Sequence, residues 1–208
     1  NAMIVTPSGA PTATLGGGKV KLNGGAFASA SYVAMPANML SGLTSMSVEC
    51  WSSYDVLSTW ARMVEFGDGV TPNESLFMAW AQNTDLTHPL FWNGSLLGGD
   101  NISVNPVTTV LGQMYHYVLV WDGNASMVRL YRDGNLLVTR NVPGITLAQM
   151  RSGVMWLGRS HFGDATANAS FFEVRLWGRA LSSAEVAAST AAGPLSLIHI
   201  SEPTRPER

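Results

Sequence analysis

From Lys19 onward the chain consists of short runs in which apolar and polar residues alternate, each closed by Gly, Pro, Asn or Asp. A period of two marks a strand with one face turned to a core. KVKLN alternates, SYVAMP stops at Pro36, and MSVECWSSY sets Met46, Val48 and Cys50 against Glu49 and Trp51. WARMVEFGDG is a strand closed by Gly-Asp-Gly; SLFMAWAQ, HPLFWNG and NISV follow, and VMWLG and ASFFEVRLW finish the series. About a dozen short strands bounded by turn residues predict an all-β antiparallel sandwich of two sheets. One helix follows them: LSSAEVAAS offers Ser182 as N-cap with Glu185 three positions on, a capping box.

The stretch at 115–139, YHYVLVWDGNASMVRLYRDGNLLVT, is the most informative. His116, Val118 and Val120 share one face, and Tyr117, Leu119 and Trp121 the other. Apolar residues on both faces predict a strand central to the sandwich. Val128 and Leu130 oppose Arg129 and Tyr131 in the next strand. Asp122-Gly123-Asn124 and Asp133-Gly134-Asn135 then read as turn chemistry, because Gly takes positive φ cheaply and Asp or Asn bonds its own backbone.

The ends differ from the middle. The stretch TPSGAPTATLGGG is small, Pro/Gly-rich and uncharged, and residues 1–18 predict a linker or entry arm before a domain at 19–192. The opening Asn-Ala-Met suits a tag remnant before Met3 or the cut edge of a longer multidomain chain. The apolar clump in LSLIHISEPTRPER continues no earlier face. One encoding of residues 195–205 resembles the end of a widely used transposon-based sequencing adapter. Residues 193–208 are therefore expected to be a disordered tail of translated adapter on a fragment assembled from sequencing reads; the plainer alternative is a natural disordered tail.

Composition narrows the function classes. Net charge is −2, with Lys+Arg 12 against Asp+Glu 14, which argues against nucleic acid as a partner. Charged residues are 12 % of the chain, and Ser, Thr, Asn and Gly carry the polarity, a mix that suits sheets and turns. Cys50 is the only cysteine, so neither an intrachain disulfide nor a cysteine zinc site can form. No apolar run is long enough for a membrane span. N-x-S sequons stand at Asn73, Asn93, Asn101, Asn124 and Asn168, as glycan acceptors or as chance products of an Asn- and Ser-rich chain.

Several segments together resemble the concanavalin A-like lectin/glucanase superfamily, in its laminin G-like jelly-roll form. These are Tyr115-His116-Tyr117-Val118, Asp122-Gly123, Leu130-Tyr131-Arg132-Asp133-Gly134, SVECWSSY with Trp51 at its centre, and WARMVEFGDG. The closing WLGRS…FFEVRLWGRALSSAEV matches at Glu173, Val174, Arg175, Arg179, Ala180, Leu181 and Glu185. The likeness spans residues 19–188 and implies a jelly roll with a short C-terminal helix. Relatives often carry Asp where Phe172 stands and another near Asn23-Gly24, and these contribute to a structural calcium. Their replacement weakens that site. No cofactor is required; calcium remains possible through Asp68, Asp100, Asp122, Asp133 or Asp164, whose spacing matches no calcium loop.

Glycosidases on this fold carry two acids on one strand face, Glu-x-Asp-x-x-Glu or similar. No such run is present; Glu65 and Asp68 are three apart, hence on opposite faces of a regular strand. Glu173 and Arg175 share a face and predict an ion pair. No Gly-x-Ser-x-Gly elbow, phosphate loop or zinc motif occurs. His116 is expected to be a packed strand histidine, while His88 and His161 lie beside turns and can face solvent.

No catalytic residue and no metal ligand is therefore assigned, and a non-catalytic binding module for carbohydrate, in an extracellular, cell-surface or virion protein, is expected. The alternatives are a protein-interaction or structural module and, less favoured, a glycoside hydrolase. Sugar sites combine an aromatic platform with side chains that bond hydroxyls. Trp80, Gln82, Asn83, Asp85, His88, Trp92 and Asn93 supply both, although Trp80 alternates with Leu76 and Met78 and fits a core position equally. Trp60 with Arg62 is a second candidate, and His161-Phe162-Gly163-Asp164 is a loop able to close over one end.

Overall fold

The computed structural model describes residues 2–9, 13–68, 75–87, 89–92, 102–103, 107–150 and 152–195. Among them the strands are β1 (Met3–Val5), β2 (Thr14–Gly16), β3 (Lys19–Gly25), β4 (Tyr32–Met35), β5 (Met46–Val56), β6 (Arg62–Gly67) and β7 (Leu76–Ala79). They continue with β8 (Leu90–Trp92), β9 (Ile102–Ser103), β10 (Met114–Asp122), β11 (Met127–Arg132), β12 (Asn135–Asn141), β13 (Val154–Leu157) and β14 (Thr166–Trp177). One sheet runs β1-β4-β13-β6-β7-β8-β9 and the other β12-β11-β10-β5-β14-β3-β2. Every pairing is antiparallel. This is the two-sheet sandwich that the alternation predicts, in the jelly-roll form that the resemblance implies.

The arm at 1–18 does more than lead in. Met3, Ile4 and Val5 pair with Ala34, Val33 and Tyr32, and β2 folds back on β3. None of the residues of β1, β2 or β12 is fully buried, as suits edge strands, and all three lie at sheet edges. Most of the expected tail, residues 196–208, lies outside the described residues.

The core fills the space between the sheets. From β5 it takes Met46, Val48 and Cys50, and from β10 Tyr117, Leu119 and Trp121. Burial pushes the Cys50 thiol up to about 12. The Asp-Gly turns behave as expected. Asp133 (φ 49°) and Gly134 (φ 79°) are the two central residues between β11 and β12, a geometry that requires positive φ twice. Asp133 Oδ1 also accepts the His116 backbone N–H, and Asp122 Oδ1 accepts that of Ala125.

Two bulges reverse the alternation. In β14, Phe171 pairs with Ser52 and Glu173 with Trp51, so Phe172 is the extra residue. Ala167, Ala169 and Phe171 face the core before it, and Val174 and Leu176 pack against the core after it. In β6, Arg62 pairs with Ala79 and Val64 with Met78, so Met63 is the extra residue. The adjacent Met63 and Val64 both enter the core.

Helix α1 (Ser183–Ala192) starts at the Ser182–Glu185 capping box. Val186 and Leu181 pack on Val118, Val120 and Tyr131, so the helix covers part of the outer face of the second sheet.

Candidate functional site

The β6 bulge builds the main cluster. Because Met63 adds one residue, Arg62 and Glu65 reach the same outer face of the first sheet although they are three apart. Both are buried; Arg62 is 3 % exposed. Nη1 of Arg62 donates to the Trp60 carbonyl, Nη2 donates to Asp164 Oδ2 at 3.0 Å, and Nε lies 3.3 Å from Glu65 Oε2. The guanidinium plane covers Phe77, with Trp60 and Phe162 farther out at 5.8 and 5.6 Å. Burial pulls the Arg62 pKa down, against the pull of Glu65 and Asp164. Trp60 has φ 55°, an uncommon conformation for a bulky residue that costs on the order of 1–3 kcal/mol and collects at ligand sites.

The turn after β13 closes onto this cluster, as the sequence suggested for 161–164. Glu65 Oε2 accepts the His161 backbone N–H at 3.1 Å, and Ser160 Oγ donates to Asp164 Oδ2 at 2.9 Å. His161 does not face solvent. Its ring stacks on Trp156 at 4.2 Å, and Nδ1 lies 3.3 Å from Glu65 Oε1. Gly67 makes room for it: a Cβ there would fall 2.7 Å from His161 Nε2.

The expected Trp80 platform is a core residue. Trp80 is 0 % exposed, stacks on Tyr54 at 4.9 Å and donates Nε1 to Ser52 Oγ at 3.1 Å. Its alternation with Leu76 and Met78 carries it inward, so it cannot touch a ligand. Gln82, Asn83 and Asp85 form a turn just beyond it, with Asn83 at φ 56° and Asp85 Oδ1 accepting from Thr87. That turn adjoins the Arg62 cluster, because the Trp60 N–H donates to the Asn83 carbonyl at 3.4 Å. Trp92 pairs in register with Phe77. His88 and Asn93 lie outside the described residues. The structure thus joins the second candidate, Trp60 with Arg62, to the 161–164 loop and to part of the first.

A second polar cluster sits on the opposite outer face and serves the helix. Glu49 is buried between His116 Nε2 at 3.4 Å, Trp177 Nε1 at 2.8 Å and Arg175 Nη1 at 3.7 Å. Burial pushes its carboxyl up, but bonds from His116, Ser189 and Trp177 outweigh this and hold it at about 2. His116, the packed strand histidine expected, stacks on Trp51 at 3.8 Å and meets Thr190 of the helix through Nδ1. The expected Glu173–Arg175 pair forms at 2.7 Å. Elsewhere, a polar groove of 630 Å³ lined by Thr44, Ser45, Asp122, Asn124, Gly178 and Arg179 has no aromatic lining residue.

Calcium binding is expected to be weakened at Phe172 and at Asn23-Gly24, and both positions are engaged otherwise. Phe172 offers no oxygen and has Lys19 Nζ 5.4 Å from its ring centroid, and the Asn23 carbonyl accepts from Asn168 Nδ2. Among the described residues no three His, Cys, Asp or Glu side chains gather as a metal site; Asp100 lies outside them. Of the sequons, Asn124 is exposed on a loop, whereas the Asn168 side chain is held by Lys21 and Asn23; Asn73, Asn93 and Asn101 are outside the described residues. No described helix is long and apolar enough to cross a membrane.

The model of the concanavalin A-like lectin/glucanase superfamily matches residues 27–187. No curated protein sequence matches. Among solved structures, domain 4 of AbnA, an extracellular arabinanase from Geobacillus stearothermophilus in complex with arabinotriose, superposes with a TM-score of 0.64 at 17 % identity, covering 90 % of this chain and 86 % of that one. The CBM40 of a Ruminococcus gnavus sialidase, bound to α2,3-sialyllactose, gives 0.63 at 12 % identity, with 82 % and 95 % covered. The binding domain of botulinum neurotoxin DC, in complex with rat synaptotagmin II, gives 0.64 at 11 % identity; it covers 92 % of this chain but only 46 % of its own. At these identities the likeness is one of fold.

Proposed function

The chain belongs to the concanavalin A-like lectin/glucanase superfamily, and from that membership we propose that it is a non-catalytic module that binds carbohydrate, as part of a larger extracellular or surface protein. The observation that carries this reading is the cluster on the outer face of the first sheet, where Trp60 and Phe162 flank Arg62 and Asp164 beside the turn of Gln82, Asn83 and Asp85. Aromatic surface beside hydroxyl-bonding groups is what sugar recognition needs. From the same sequence segment His88, Trp92 and Asn93 are proposed as further ligand contacts, and Trp80 supports the turn from the core.

Two further points favour binding over hydrolysis. Glycoside cleavage needs one protonated and one ionised carboxyl. Of the two carboxyls at this site Glu65 is buried and only Asp164 is partly exposed, so the pair does not face a ligand together. The arabinanase and sialidase neighbours were solved as domains holding oligosaccharides.

A glycan array probed with the whole chain, with and without calcium, tests the reading. Trp60→Ala is expected to weaken binding about tenfold by removing one aromatic wall. An array blank under both conditions would overturn it and move the assignment to a protein surface.

A further inference from the structure

Resting on that reading, we infer that the Asp164 site selects neutral, hydroxyl-rich glycans and discriminates against acidic ones. Acidic sugars are gripped best by a guanidinium fork. Arg62 presents no fork to a ligand: it is 3 % exposed, Nη1 donates to the Trp60 carbonyl, Nη2 to Asp164, Nε faces Glu65, and Phe77 covers one plane. The acceptor side is open instead. Asp164 is 24 % exposed in its side chain, and its Oδ2 receives both Arg62 and Ser160. Among the described residues Oδ1 of Asp164 receives no bond, which leaves an acceptor for ligand hydroxyls.

Charge balance points the same way. Two carboxylates, Glu65 and Asp164, face one guanidinium. The His161 ring is buried against Glu65 and does not reach a ligand. A ligand carboxylate near Asp164 would meet a like charge in a partly desolvated site. A competing cation is Arg159, over the Trp156 ring. Among the described residues it has no carboxylate partner, but it is enclosed by Phe27, Tyr32 and Trp156 and donates to the Phe27 carbonyl.

Calorimetry on the whole chain with matched oligosaccharide pairs, neutral and bearing one sialic or uronic acid, decides the matter. The neutral member is expected to bind at least about tenfold tighter, with little dependence on salt. Asp164→Asn is expected to weaken neutral binding and bring the neutral-to-acidic ratio toward one, a change that a mere loss of stability would not produce. Tighter binding of the acidic member, abolished by Arg159→Gln, would overturn the inference and leave the glycan reading standing. Binding of neither member, by a chain that melts cooperatively, would overturn both.

Discussion

The guanidinium of Arg62 lies 3.8 Å from the ring centroid of Phe77, while its edges meet Asp164 and Glu65. A cation taken out of water is held here by a π-face, a carbonyl and two carboxylates. Removing it takes the guanidinium from Glu65, which is buried on the same face and keeps only its His161 contacts.

Arg62→Met is therefore expected to destabilise the fold by about 3–5 kcal/mol, the cost of removing one partner of a buried ion pair. Arg62→Lys should recover only part, because an ammonium cannot stack and bond in the same plane. Urea unfolding of the three proteins reads both. A loss below about 1 kcal/mol for the methionine variant would mean that Glu65 is not desolvated.

The Glu49 cluster predicts acid sensitivity. Its carboxyl is lowered from 4.5 to about 2 in the folded protein. Its contribution is therefore complete above the unfolded value and is lost as pH falls from about 4.5 toward 2. The loss is on the order of 3 kcal/mol. Glu49→Gln should be less stable near neutrality and flatter across that acid window. Parallel stability–pH curves for the two proteins would contradict it.

Trp121 is fully buried in the core and its Nε1 has no partner among the described residues, so packing is what truncation removes. Trp121→Ala is expected to cost about 3–5 kcal/mol in chemical denaturation.

Two turn glycines are expected to respond for different reasons. A Cβ at Gly123 would fall 2.0 Å from the Thr44 carbonyl oxygen, so Gly123→Ala must displace backbone. At Gly134 the nearest atom is 3.5 Å away and φ is 79°, so Gly134→Ala meets conformational strain alone, about 1 kcal/mol. Thermal melts should place Gly123→Ala clearly below Gly134→Ala.

Where the chain alternates strictly, its pattern was enough. The two faces of β10, the inward Trp121, the Asp-Gly turns and the Ser182–Glu185 cap follow from local chemistry that tertiary packing leaves intact. The site followed less well. Strict alternation through RMVEF puts Arg62 with Val64 and Phe66; the bulge at Met63 exchanges that parity and places Arg62 with Glu65. A bulge is set by the partner strand, so nothing local in β6 announces it. Trp80 shows the reverse case, where the alternation with Leu76 and Met78 was right and the attraction of an aromatic residue beside polar ones was misleading. His161 was legible only as a loop residue, because its stacking partner Trp156 comes from β13 and its bare seat, Gly67, from β6.

The clamp formed by Glu65, His161, Ser160 and Asp164 has a thermodynamic consequence. The loop at 160–164 is tied to the sheet before any ligand arrives, so little loop freedom remains to be surrendered on association. Such preorganisation suits a ligand that offers only a few hydroxyls per sugar ring, since each weak bond is then spent on affinity and not on ordering the receptor.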